Sequence, residues 1–232
     1  MESFNLDREI ARLILLQRIE ILNPFQKKIR KVLGRHFFTN FFSKYCVNSN
    51  EIAEKYLQEM RLEFNMLSKY LSFKNKKILS IGSGMCGLEL IINSSSSDNF
   101  FTIIEKNYVS EKVRYGWDEK NLEAYNDIDK LNLFLQTNGM EKKNYEIYDF
   151  DKNNLPAVSF DYVISLYSLD YHYDFYLYQD YFKKILNKES ILIFDTVRPD
   201  HFSKLFDKVK VINSIEKDTH SSKRIMCTGA NF

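Results

Sequence analysis

Lys77-Ile78-Leu79-Ser80-Ile81-Gly82-Ser83-Gly84-Met85-Cys86-Gly87-Leu88-Glu89-Leu90 decides how the rest of the chain is read. An apolar strand pattern, Lys77 to Ile81, runs directly into Gly82-x-Gly84-x-x-Gly87 and then into a helix-compatible segment. In a strand–turn–helix of this kind Gly82 permits the tight turn. Gly84 lets the backbone approach a ligand with no Cβ in the way, and Gly87 lets the helix pack close to the strand. A bare turn with no ligand is the plain alternative. A second apolar run, Phe100-Phe101-Thr102-Ile103-Ile104, ends in Glu105, about where an acidic residue receives ribose hydroxyls in nucleotide-binding βαβ units. The pairing predicts an adenosine-type cofactor, held by Ile81, Gly82, Ser83, Gly84 and Gly87 on the turn and by Glu105 with Lys106 beside it.

Working outward, the chain divides near residue 73. Residues 1–72 are expected to form a helical cap or lid. Leu6 to Leu33 and Glu51 to Leu71 carry apolar residues at helical spacing (Ile10, Leu13, Ile14; then Tyr56, Met60, Phe64, Leu67), with a turn at Asn48-Ser49-Asn50. Residues 73–232 alternate strands with helical or loop segments. The strands are expected at Lys77–Ile81, Phe101–Ile104, Glu146–Tyr148, Tyr162–Ser165, Ser190–Phe194, Val209–Asn213 and Arg224–Thr228. That alternation predicts an α/β fold, a Rossmann-like, doubly wound, mostly parallel seven-stranded sheet with an N-terminal helical extension.

Composition narrows the setting. A chain of 232 residues, 44% hydrophobic and 15% aromatic, can bury a substantial core. A formal net charge of +2 gives no global reason to expect nucleic acid or an anionic membrane. The basic run Lys27-Lys28-Ile29-Arg30-Lys31 reads as a solvated helix face, with a nucleic-acid patch as the sharper alternative. Cys46, Cys86 and Cys227 are widely spaced and form no CxxC pair, so free thiols in a reducing compartment are expected. The opening MESFNLDREIARLILLQRIE places Asp7, Arg8 and Glu9 early with no long apolar core, so neither a signal peptide nor membrane insertion is expected and the location is expected to be cytoplasmic.

Two later stretches bear on which adenosine cofactor is meant. Phe160-Asp161-Tyr162-Val163-Ile164-Ser165-Leu166 and Glu189-Ser190-Ile191-Leu192-Ile193-Phe194-Asp195, taken with the glycine turn, Glu105 and Asp149, resemble the ordered motifs of class I S-adenosylmethionine-dependent methyltransferases over roughly residues 73–232. The resemblance implies S-adenosyl-L-methionine as cofactor, with Ser165 and Leu166 after the fourth strand adding to its site. Asp149 and Phe150 are an acid and a ring placed to bracket an adenine, or a plain loop acid and its neighbour. The family usually carries an acid two positions before the first glycine to support the methionine amino group, whereas this chain has Ser80.

A narrower resemblance rests on Val113-Arg114-Tyr115-Gly116-Trp117, on Ala124-Tyr125-Asn126, and on Ser165-Leu166-Tyr167-Ser168-Leu169-Asp170-Tyr171-His172-Tyr173. These look like segments of bacterial sugar O-methyltransferases of polysaccharide gene clusters, although Leu169 stands where those proteins usually have Trp. The implied substrate is a sugar or sugar-linked small molecule of surface polysaccharide biosynthesis, met by Tyr115, Trp117, Tyr125, Asn126, Tyr171, Tyr173 and Arg198. From the residues alone, Tyr115 to Asn126 also suit a solvent-facing helix, and Arg198 also suits a surface salt bridge.

A hydroxyl acceptor needs a base that is neutral near physiological pH, and imidazole is the side chain suited to that. His172, in the loop after the fourth strand, is the candidate general base; an ordinary loop histidine among tyrosines is the alternative. No metal is expected, since neither HExxH nor a Cys/His cluster is present. The N-terminal helices would serve as a lid or a homodimer surface. The competing functions are an RNA ribose or other small-molecule methyltransferase and a catalytically inactive nucleotide-binding module. Base amino or C5 methylation lacks its motif, and a dehydrogenase lacks a second substrate domain.

Overall fold

The structure, a computed structural model, describes residues 2–110, 124–214 and 222–231. In chain order its helices and strands are α1 (Arg8–Gln17), α2 (Pro24–Phe37), α3 (Ser43–Tyr45), α4 (Ser49–Leu67), β1 (Lys77–Ile81), α5 (Gly87–Ser95), β2 (Phe100–Glu105), β3 (Tyr108–Val109), β4 (Tyr125–Asn126), α6 (Ile128–Thr137), β5 (Tyr145–Asp149), β6 (Tyr162–Ser165), α7 (Gln179–Ile185), β7 (Ile191–Thr196), β8 (Phe206–Ser214) and β9 (Lys223–Ala230). They belong to two compact units, one of residues 1–73, 84–97 and 106–144, the other of residues 74–83, 98–105 and 145–232. The chain passes from one to the other at Phe73 and again inside the glycine turn, between Ser83 and Gly84.

The second unit carries the seven-stranded sheet that the strand pattern predicts, in the order β5-β2-β1-β6-β7-β9-β8. The first five strands run parallel; β9 is antiparallel to β7 and β8 antiparallel to β9. The strand order reverses between β1 and β6, the place where open α/β sheets leave a crevice at the carboxyl ends of their strands. Alternation along the strands puts Leu79, Ile81, Ile104, Val163, Leu192, Phe194, Ile225 and Cys227 into one buried cluster, which Phe175, Phe182 and Phe202 complete. Phe175 is its centre, with ring centroids 5.2 Å from Phe182, 5.6 Å from Phe194 and 5.0 Å from Phe202. Burial also pushes the Cys227 thiol well above its ordinary pKa, so it behaves as an apolar filler.

The other unit is helical apart from a two-stranded ribbon of β3 and β4. Asp7 caps α1 by accepting a 2.7 Å hydrogen bond from the Ile10 amide. Phe4 sits between Tyr56 and Phe134, each ring centroid 5.4 Å away. The single helical segment expected over Leu6–Leu33 is divided here. α1 ends at Gln17, a short 3-10 turn covers Ile19–Ile21, and α2 starts at Pro24. Proline lacks an amide donor and fits the first helical position rather than an interior one, which sets the second start. The turn expected at Asn48-Ser49-Asn50 is instead the beginning of α4, because the Asn48 side chain accepts from the Asn50 and Glu51 amides and so caps the helix.

Candidate active site

In the sheet unit the site is built where β1 and β6 end. Gly82 has φ +62°, and its amide donates to Ile104 O at 3.0 Å, so the turn leaves β1 while still tied to β2. A Cβ on Gly82 would collide with the Ser168 hydroxyl. Bareness at this position therefore admits the loop that follows β6. The Ser165 hydroxyl anchors the root of that loop, donating to Ile81 O at 2.8 Å and accepting from the Leu169 amide at 3.0 Å. Ser168 O then accepts from the amides of Tyr171 (3.2 Å), His172 (2.8 Å) and Tyr173 (3.1 Å), with Tyr167 and Asp170 taking positive φ. The result is a tight turn that presents an exposed His172, with half-buried Tyr171 and Tyr173 on either side, on a loop seated against the first glycine. Tyr171 meets His172 edge-on at 4.8 Å. Leu166, just past the strand, is buried.

Glu105 ends β2 directly beside this turn and is buried, its carboxylate accepting from the Ser83 hydroxyl at 3.4 Å. The next strand brings Asp149 level with Glu105, and Phe150 N donates to Glu105 O at 2.8 Å. Asp149 also organises its own loop. Its carboxylate accepts from the Asp151 amide at 3.1 Å and pairs with Lys152 at 3.3 Å. The Phe150 ring packs on Tyr178 at 5.1 Å. Burial pushes the Tyr178 phenol far above its usual pKa, so Tyr178 stays neutral. Ser80 is buried, and its hydroxyl oxygen has no hydrogen-bond partner among the described residues. The carboxylate and hydroxyl beside the glycine turn suit a ribose, whereas at the position of the usual acid the hydroxyl is enclosed.

Two arginine–carboxylate pairs stand under the β6 loop. Asp195, on β7, receives Arg224 Nε at 2.8 Å and a second guanidinium nitrogen at 2.9 Å, and also accepts from the Tyr167 amide at 2.9 Å. Asp170 is buried and accepts from the Thr196 hydroxyl at 2.5 Å and from Arg198 Nε at 3.2 Å; Arg198 also reaches Asp174 at 3.3 Å. The Asp170 hydrogen bonds raise the Arg198 pKa above its usual value. Arg198, expected to meet substrate, thus has its charge answered within the protein, closer to the salt-bridge alternative. Nearby, the Tyr176 hydroxyl meets His201 Nε2 at 2.6 Å.

The other predicted residues lie in the helical unit, where Gly84 has φ +64°. The space a Cβ would take at Gly84 is held by the Gln17 carboxamide. That carboxamide accepts from the Met85 amide at 3.1 Å and donates to Tyr125 O at 2.6 Å. At Gly87 the nearest atoms belong to Tyr56, so the close approach is made by the α4 ring where a strand was expected. Asn126, expected to touch substrate, is buried and donates to Gly84 O at 3.1 Å, which ties the ribbon to the turn. Tyr125 and Asn126 are strand residues, not part of a helix. Lys106 begins the turn leading to β3, its carbonyl accepting from the Tyr108 amide at 2.9 Å. Tyr115 and Trp117 lie outside the described residues. Among the described residues no group of His, Cys, Asp and Glu is arranged to hold a metal.

Gln17, Tyr56, Ser168 and Asp170 are the partners that sequence reasoning misses, since helical spacing and loop composition carry no sign of what they touch. Tyr56 is testable. Its hydroxyl accepts the Gly87 amide at 2.9 Å in a buried setting, so Tyr56→Phe leaves that donor unmet. The expected cost is about 1–3 kcal/mol, read from the urea midpoint. An unchanged midpoint would show that the amide finds another acceptor.

No protein-family model matches the chain, and no curated protein matches it in sequence. Solved structures match in fold. N,N-8-amino-8-demethyl-D-riboflavin dimethyltransferase from Streptomyces davawensis superposes with TM-score 0.56 at 10% identity, over 95% of this chain and 69% of that one. Precorrin-6y C5,15-methyltransferase from Geobacter metallireducens gives 0.45 at 14% identity, over 81% and 92%. Ribosomal protein L11 methylase from Lactobacillus delbrueckii gives 0.46 at 6% identity, over 78% and 80%. At these identities what is shared with the first is the fold.

Proposed function

We propose that the protein is an S-adenosyl-L-methionine-dependent O-methyltransferase acting on a hydroxyl of a sugar or sugar-linked small molecule. The observation that carries the reading is the seating of the His172 loop on Gly82 at the switch point, with Glu105 ending the adjacent strand. A nucleotide cleft and a candidate base are thereby built from one strand-end cluster. Two features favour a sulfonium donor over a dinucleotide. The sheet closes with the antiparallel β9 and β8, where a dinucleotide-binding sheet would continue parallel, and the fold likeness is to a protein described as a methyltransferase.

The cofactor supplies an electrophilic methyl group. In this reading the chain holds and orients it, Glu105 and Ser83 taking the ribose hydroxyls, Asp149 and Phe150 the adenine end, and Ile81, Gly82, Ser165 and Leu166 lining the turn. His172 takes the acceptor proton, and Tyr171 and Tyr173 offer faces to a saccharide. Arg198 then acts indirectly, holding Asp170 and with it the turn that carries His172.

Calorimetry with S-adenosylhomocysteine and, separately, with NAD tests the cofactor. Binding of the first alone is expected, weakened roughly ten- to a hundred-fold by Glu105→Ala through loss of charge-assisted hydrogen bonds. NAD binding in place of S-adenosylhomocysteine would overturn the reading, and an unchanged affinity in Glu105→Ala would remove Glu105 from the site.

A further inference from the structure

The stretch from Ile21 to Asn50 contains Lys27, Lys28, Arg30, Lys31, Arg35 and Lys44 and not one aspartate or glutamate. Its α2 portion is amphipathic in an unusual way. Phe25, Ile29, Val32 and Leu33 fall at i, i+4, i+7 and i+8, one stripe of a helix. That stripe does not face the interior. Phe25 is 70% exposed and Val32 71%, with Leu33 exposed and Ile29 half-buried, while the buried side of α2 is marked by Gln26. Lys27, Lys28 and Lys31, all exposed, run beside it. Gly34, at φ 82° and ψ 161°, ends this run of helix. Beyond it Phe37, Phe41 and Tyr45 repeat the pattern at i, i+4 and i+8 as exposed rings stacked 5.1 and 5.2 Å apart.

We propose that this face docks the protein on an anionic lipid surface. Exposed aliphatic and aromatic side chains lined by lysines, in a segment empty of acids, match an interface where acyl chains and anionic headgroups lie within a few ångströms of one another. A second copy is a poorer occupant. A two-fold contact would bring the same cationic stretch against itself, with no acid in the segment to answer it. Single-stranded nucleic acid needs stacking faces, which Val32 and Leu33 at the middle of the stripe do not offer. Among the described residues no helix is long and apolar enough to cross a membrane, so the contact is peripheral. The small overall charge of the chain conceals this local excess. The inference stands independently of methyl transfer.

The test is co-sedimentation of the full chain with sucrose-loaded vesicles, either of phosphatidylcholine alone or with roughly a third phosphatidylglycerol. Sedimentation with the anionic vesicles only, falling as salt rises, is expected. Val32→Asp should lower the partition constant about ten-fold or more by removing the apolar wedge. Lys27→Glu with Lys31→Glu should do the same by reversing the charge. Both sets change exposed positions, so thermal midpoints should stay near the wild-type value, which separates lost docking from lost folding. Absence of binding to either vesicle, or equal binding to both, would overturn the proposal. So would a dimer in sedimentation equilibrium that Val32→Asp dissociates without any vesicle binding, or binding of a single-stranded RNA oligonucleotide in place of the vesicles.

Discussion

Arg224→Ala is expected to destabilise the protein by about 3–5 kcal/mol, because it leaves a buried carboxylate without its partner. Arg224 is 1% exposed and its partner Asp195 has no exposure at all, so neither charge has water to fall back on. The pair faces across β9 and β7 in register and is bidentate, and Asp195 also accepts the Tyr167 amide. The Arg224 guanidinium lies 5.4 Å from the Tyr167 ring centroid as well. Removing the guanidinium thus also loosens the start of the β6 loop. Urea unfolding with an unchanged slope reads the loss. Arg224→Met with Asp195→Leu removes both charges and should recover much of the stability, since an apolar pair of similar volume replaces an ion pair at little cost. A loss below about 1 kcal/mol for Arg224→Ala would show that water reaches the carboxylate.

His172→Ala is expected to lower kcat by roughly 10²–10⁴-fold while affinity for S-adenosylhomocysteine stays within a small factor. The imidazole sits on an exposed turn, and the hydrogen bond that holds the turn runs from its backbone amide to Ser168 O, which alanine keeps. Stability should therefore be untouched, and any loss of rate falls on the chemistry. Thr196→Val makes a useful companion, because it removes the 2.5 Å hydrogen bond to Asp170 and disturbs the same turn from beneath. A His172→Ala enzyme with wild-type kcat would leave positioning alone as the mechanism and dismiss the histidine as base.

Local rules placed the turn and the strands. The glycine turn, Glu105 at the end of an apolar run, and strand runs such as Tyr162–Ser165 are readable because period-two burial and a positive-φ turn are local properties written in consecutive residues. Those same rules name Gly82 and Gly84, whose φ angles of +62° and +64° confirm the need for glycine. They misjudge what the bare positions admit. Ser168 sits against Gly82, the Gln17 carboxamide against Gly84 and the Tyr56 ring against Gly87, contacts made across 31 to 86 residues of sequence.

Ion pairs follow the same division. Asp170, Asp195, Arg198 and Arg224 look in the sequence like surface or substrate-facing charges, and only pairing in space makes Asp170 and Asp195 buried supports for the His172 loop. Composition likewise reports a nearly neutral chain, while the fold turns the apolar stripe of α2 outward. The sequence by itself determined the order of strands and turns, because each depends on neighbours in the chain. The tertiary structure decided which side chains fill the glycine gaps, which charges are buried and which apolar face is left in water, because those are set by partners far away along the chain.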